Sequence, residues 1–245
     1  MYKEFRPSVL LQRYVDAYWV SAHAGATVRA LRILPDSCAD IIFHTGGGML
    51  AGDGLVIGTM TVYNDVIALP GAALLGIRFK PGGLSAYCRL PMAALTDQRY
   101  TLRDLSLRQF YMLQERLAGL TDLALQLRCV EEWLLAYLPD VHPDTQRVWA
   151  ALSALRAAEG KCTIPTLAQA VYMSPRSFER VFLREVGVSA KEMGGIFRFL
   201  AAKRLLKDPA GGTLLEIALA AGYYDHAHFT KAFRRYAGQS PSERR

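Results

Sequence analysis

Two stretches of this chain repeat one another at a fixed distance, and that repeat limits the fold more than any bulk property. Ala220-Ala221-Gly222-Tyr223-Tyr224-Asp225-His226-Ala227-His228-Phe229-Thr230-Lys231-Ala232-Phe233 gives small residues, a turn glycine, then a helix with Phe229 and Phe233 four apart on its buried side. Leu167-Ala168, Ser174, Phe178, Phe182, Gly187 and Ser189 follow the same order earlier in the chain. The offset from Phe178 and Phe182 to Phe229 and Phe233 is 51 residues, and Gly187-x-Ser189 to Gly238-x-Ser240 repeats it. One ordinary helical core does not explain a duplication of that length. Each unit reads as a helix-turn-helix, and a pair of them in one segment implies a partner in double-stranded DNA.

Charge points the same way. Residues 1–140 hold 13 basic and 13 acidic side chains, whereas residues 141–245 hold 16 basic and 9 acidic, so the whole formal +7 lies with the repeat. Phosphate neutralisation needs such a localised field, and it makes binding strongly dependent on salt. The remaining bulk properties exclude other classes. With 245 residues, 51% of them hydrophobic, the chain has material for two modest cores. The start, Met1-Tyr2-Lys3-Glu4-Phe5-Arg6, lacks the apolar run of a signal peptide, and no uncharged apolar stretch reaches the roughly 18–20 residues of a membrane span. Cys38, Cys88, Cys129 and Cys162 lie far apart with no metal-ligand spacing, which reads as reduced core thiols in a soluble cytoplasmic protein, a redox switch being the minor alternative.

The two halves differ in build. Up to about Thr96, short branched or aromatic runs alternate with turns: Leu31–Leu34, Asp40–His44, Leu55–Gly58 and Ala73–Phe79, separated by Pro35-Asp36, Gly46-Gly47-Gly48, Gly52-Asp53-Gly54, Pro70-Gly71 and Pro81-Gly82-Gly83. This pattern predicts a sandwich or barrel, with flanking helices around Ser8–Trp19 and Gly83–Cys88. Helical periodicity takes over at Phe110–Ala118 and Leu123–Tyr137, and Pro139–Asp144 forms the joint. The expected fold class is therefore α+β in two domains, residues 1–140 and 147–245, the second for DNA binding; the resemblance given below implies sensing or dimerisation for the first. In the second, a helix over Arg147–Ala158 comes first, Ser174-Pro175 is a hydroxyl cap followed by proline at the first helical position, and Asp225 caps the matching helix.

With the phenylalanines inward, their neighbours face the groove. On the first helix these are Arg176, Glu179 and Arg180: arginine bridges guanine O6 and N7, and glutamate accepts from a cytosine amino group. On the second they are His226, Ala227, Thr230 and Lys231. Ser174, Thr230, Arg234 and Arg235 are expected to hold phosphates, with Lys203 and Arg204 as further cations on the linking helix. His226 and His228 do not share a helix face and have no third ligand nearby, so no metal site is expected.

The segment Ile164–Glu243 resembles the AraC/XylS family of bacterial transcription regulators. The stretch Gly222–Phe233, closed by Gly238-Gln239-Ser240-Pro241, is close to that family's signature. The resemblance implies two helix-turn-helix units joined by a long helix, with base readers at Arg176, Glu179 and Arg180 and at His226, Ala227 and Lys231. It also implies activation more than repression. Tyr172 stands where the family usually has glycine, and a tyrosine there strains a left-handed turn. Ala190 stands where Pro241 stands in the second unit.

Leu34–Phe43, Gly58-Thr59-Met60 and Gly76–Gly83 resemble a β-rich domain that precedes the DNA-binding part in one AraC-like branch. Other members of the family carry a cupin-like barrel there, which senses a small molecule and dimerises. A small-molecule effector and a homodimer are therefore expected partners, with RNA polymerase as a third. Polar and aromatic candidates for a barrel-mouth pocket are Trp19, Arg32, Asp36, Asp40, His44, Tyr63 and Arg78, although Arg78 can instead pair with Asp36 or Asp40. Leu123–Leu138 is an amphipathic candidate for a dimer face. A ligand-independent regulator whose first domain only dimerises or contacts polymerase is the alternative. A metal-dependent cupin-like enzyme lacks ligands, since only His23 and His44 precede residue 142, and there is no nucleophile elbow or phosphate loop. A methyl-transfer DNA-repair role lacks its cysteine cluster. Neither a catalytic residue nor a cofactor is expected.

Overall fold

The computed structural model describes residues 1–46, 52–208 and 212–244. Gly47 and Gly48 of the expected glycine hairpin tip lie outside the described residues.

The first half is a sheet backed by helices. Strands β1 (Tyr2–Phe5), β2 (Val15–Ala22), β4 (Ala39–His44), β5 (Leu55–Ile57), β7 (Ala73–Phe79) and β8 (Arg99–Thr101) form an antiparallel sheet in the order β1-β2-β7-β4-β5-β8. Strands β3 (Arg29–Ile33) and β6 (Asn64–Ala68) make a separate two-stranded ribbon. Two sheets thus replace one closed ring among the described residues. Alternation sorts the faces: in β4, Ala39, Ile41 and Phe43 are buried, while Asp40, Ile42 and His44 are half-buried. Register aligns Ile41 and Tyr18 with Ile77, and Phe43 with Leu75, so one face is continuously apolar. Helices α1 (Gly83–Tyr87), α2 (Met92–Leu95), α3 (Arg108–Ala118) and α4 (Leu123–Ala136) complete this core, with Phe110, Leu113, Val130 and Trp133 packed against it.

The segment Ser8–Trp19 corrects the helical expectation. Only Leu11–Arg13 make a 3-10 turn, and Val15–Ala22 is a strand paired on both edges, to β1 and β7. Because β2 is covered on both faces, Val15, Ala17, Tyr18 and Trp19 are all buried, and such a continuous apolar run mimics a buried helix.

The second half is helical: α5 (Pro143–Ala157), α6 (Ile164–Ala170), α7 (Pro175–Val186), α8 (Ala190–Leu206), α9 (Leu214–Ala220) and α10 (His226–Ala237). Helix α5 begins at Pro143 rather than Arg147, because proline fits the first turn and the His142 ring caps the Asp144 N–H. Side-chain caps start the others: Thr163, Ser174, Ser189, Asp225, and Thr213, which forms a reciprocal box with Glu216. Phe178, Phe182, Phe199, Phe229 and Phe233 are fully buried in one core around α8. Trp149 of α5 packs against both this core and the sheet core. Among the described residues, no helix is long and apolar enough to cross a membrane.

Candidate nucleic-acid interface

Helices α6 and α7, and again α9 and α10, are joined by tight turns built alike. The Met173 N–H donates to Ala168 O and the Tyr223 N–H to Ala218 O, both at 2.9 Å. In each turn one residue has a left-handed backbone, Tyr172 at φ 55° and Gly222 at φ 83°. Up to this point the two units are 50 residues apart. Tyr224 is then an extra residue in the second turn, and from the Ser174 and Asp225 caps onward the offset becomes 51. The Ser174 hydroxyl accepts from the Ser177 N–H at 3.2 Å, and the Asp225 carboxylate from the His228 N–H at 2.7 Å.

Helices α7 and α10 both turn phenylalanines inward and polar side chains outward. Arg176, Glu179 and Arg180 are exposed on α7, and among the described residues none of them makes an ion pair. On α10, Ala227 and Lys231, which match Arg176 and Arg180 at the offset of 51, are exposed, as are His226 and, further along, Arg234. His228 instead sets its ring edge-on against Tyr223, 5.4 Å between centroids. Two of the residues expected to hold phosphates are engaged within the protein or turned inward. The Thr230 hydroxyl is buried and lacks a hydrogen-bond partner, since Thr230 sits beside Phe229 on the inward flank of α10. Arg235 is held within the protein by both oxygens of Glu192 on α8, at 2.8 and 3.1 Å.

The seven pocket candidates do not converge on one site. Trp19, Asp36, Asp40 and Arg78 do meet, on the half-buried face of the sheet. Trp19 Nε1 donates to Asp40 at 2.6 Å, and Arg78 Nε lies 3.2 Å from Asp36 and 3.7 Å from Asp40. The Trp19 ring fits only because residue 76 is glycine: a Cβ there would lie 2.0 Å from the indole. Burial and the neighbouring Asp36 push the Asp40 carboxyl up to about 7, and the two carboxylates hold Arg78 firmly protonated. Tyr2 and Glu4 complete the cluster, each bonding Arg78, at 3.1 and 2.8 Å. Sequence reasoning missed both; their alternation on an edge strand was the available signal.

Arg32 and Tyr63 lie apart from that cluster. Arg32 makes a two-pronged bond to Asp65 across the β3–β6 ribbon, stacks 4.3 Å above Tyr63, and donates to Ala237 O at the end of α10. His44 stands at the far end of β4, four residues from Asp40, and desolvation lowers its pKa. Among the described residues, no three His, Cys, Asp or Glu side chains are grouped to hold a metal ion.

Residues 167–245 match a family of helix-turn-helix domains, and residues 3–101 match a domain of unknown function (DUF6597). An uncharacterized HTH-type transcriptional regulator of Haemophilus influenzae is 33% identical over 122 residues, covering 50% of this chain and 39% of the relative. The uncharacterized HTH-type transcriptional regulator YidL of Escherichia coli is 28% identical over 118 residues, 47% of this chain and 39% of its own. The chain thus spans about two fifths of the length of these curated relatives, 39% of each. A solved transcriptional regulator from Chromobacterium violaceum with an AraC-type DNA-binding domain aligns at 25% identity over 40% of this chain and 88% of its own, with a TM-score of 0.38.

Proposed function

Taking as premise that this chain carries a helix-turn-helix domain of the AraC type, we propose that it regulates transcription by reading a two-block operator with α7 and α10. The observation that carries this reading is the pair of matched exposed positions on the two helices, Arg176 and Arg180 with Ala227 and Lys231, extended by Glu179 on α7 and His226 on α10 and backed in each helix by buried phenylalanines. Arginine and lysine reach base edges from such a helix, while Arg234 and the Ser174 end of α7 hold phosphates. Residues 147–245 act as the DNA-binding domain, and residues 1–140 as the domain that controls it from within the cytoplasm.

Control by a small molecule is supported by the Trp19–Asp40–Arg78 cluster. It sets an aromatic face, a firmly charged guanidinium and a carboxyl of raised pKa on a sheet face that is only half-buried. Such a grouping suits a polar effector better than a purely structural apolar face does. The whole reading is tested by selecting DNA with the purified chain at near-physiological salt. Enrichment of two short blocks about one helical turn apart supports it, and absence of any enriched sequence, with and without cell extract as a source of effector, contradicts it.

A further inference from the structure

A helix C-terminus leaves carbonyl oxygens unpaired and carries partial negative charge, so donors that reach it fix the helix end in place. Both reading helices end on a glycine with a left-handed backbone, Gly187 at φ 91° and Gly238 at φ 70°. At both ends the donors come from the first half of the chain. The Thr59 hydroxyl donates to Val186 O at 3.2 Å, and the Thr96 hydroxyl to Gly187 O at 2.7 Å. Arg32 donates to Ala237 O at 3.4 Å.

The docking is close as well as bonded. A Cβ at residue 187 would lie 2.6 Å from Met92 O. A Cβ at residue 238 would lie 2.6 Å from Arg32 Nη1 and 2.7 Å from the Tyr63 ring. Beside the first seam, buried Glu185 of α7 accepts from Ser85 of α1 at 3.2 Å and from Thr145 of α5 at 2.9 Å. The opposite ends of α7 and α10, where Arg176 and His226 sit, are exposed. The first half therefore holds each reading helix by the end away from the proposed groove contacts.

Within the second half, α7 packs on α5, α6 and α8, and α10 on α8 and α9. Tying both far ends to one sheet domain closes a frame around α7, α8 and α10. We infer that Arg32, Thr59 and Thr96 are positioning residues that set the separation of the two reading helices, and with it the half-site spacing the protein accepts. The inference rests on the DNA-reading role proposed above and goes beyond it: the sheet domain is a determinant of operator geometry.

The test uses the full chain and duplexes carrying both half-sites at spacings varied by about one or two base pairs, together with single half-sites. The wild type is expected to prefer one spacing. A variant with Arg32→Ala and Thr96→Val is expected to bind a single half-site unchanged and to lose roughly five- to tenfold on the preferred duplex. It should also discriminate less between spacings, and of the two single variants at position 96, Thr96→Ser, which keeps the hydroxyl that bonds Gly187 O, should retain the discrimination that Thr96→Val loses. A uniform loss on every DNA, single half-sites included, overturns the inference, because the seam would then matter only for stability. An unchanged spacing profile overturns it too, as does tighter binding to every duplex. Failure of the wild type to bind any paired half-sites, seen before any variant is made, would overturn the DNA-reading role itself.

Discussion

The Arg235 guanidinium on α10 grips both carboxylate oxygens of Glu192 on α8, and the Tyr236 hydroxyl donates to the same carboxylate at 3.0 Å. A residue whose sequence position suggests a phosphate contact thus fastens the second reading helix to the linking helix. Replacing Arg235 with alanine is expected to lower stability by about 0.5–1 kcal/mol and leave the salt dependence of DNA binding unaltered. Thermal unfolding and a salt titration of binding check the two halves of that statement.

Arg234, exposed one residue earlier, should behave in the opposite way. Its replacement by alanine is expected to weaken binding to all sequences alike and to reduce the slope of log K against log salt by about 1. An unchanged slope would remove Arg234 from the phosphate contacts.

Tyr172 carries a left-handed backbone with its side chain 94% exposed, so it takes the strain of that conformation with almost no packing in return. Gly222 fills the same place in the second turn without strain. A Tyr172→Gly change should stabilise the protein by about 0.5–1 kcal/mol, the relief of strain exceeding the added freedom of glycine in the unfolded chain. A lower melting temperature in the variant would show that the exposed ring has a stabilising contact of its own.

Asp40 gives a pH signature. Its folded pKa of about 7 lies above the roughly 3.9 of an unfolded aspartate, so the native state binds the extra proton between those values. The contribution of this group to stability is complete below about 4 and is lost as pH rises through about 7. Wild-type melting temperature should therefore rise relative to that of Asp40→Asn as pH falls from about 8 to 5. Parallel curves for the two proteins would contradict the raised pKa.

Much of the C-terminal half was legible because its determinants are local. Ser174-Pro175, Asp225 and the paired phenylalanines write caps and buried faces directly into the chain, and the structure has them where the repeat puts them. The exposure of Arg176 and Arg180 follows from that spacing alone. The sheet half was legible in β3, β4, β5 and β7 and in the helices that follow, but not in β2 or in the shortest strands. Val15–Ala22 is paired along both edges, to β1 and β7, and buries residues on both of its faces, and a short run of that kind carries no period to separate strand from helix. β1, β6 and β8 are short strands, the first two largely exposed, defined by their partners more than by their residues. The partners of Arg32 and Arg235 were not legible for a related reason: Asp65, Ala237 and Glu192 lie 33 to 205 residues away.

The most direct test of the central claim is a pair of DNA selections, one with Arg180→Ala and one with Lys231→Ala, compared with the wild type. Each variant should lose base preference in one block only, Arg180→Ala in the block read by α7 and Lys231→Ala in the block read by α10. Loss of both blocks in either variant, or retention of both in each, would contradict the assignment of one helix to each block.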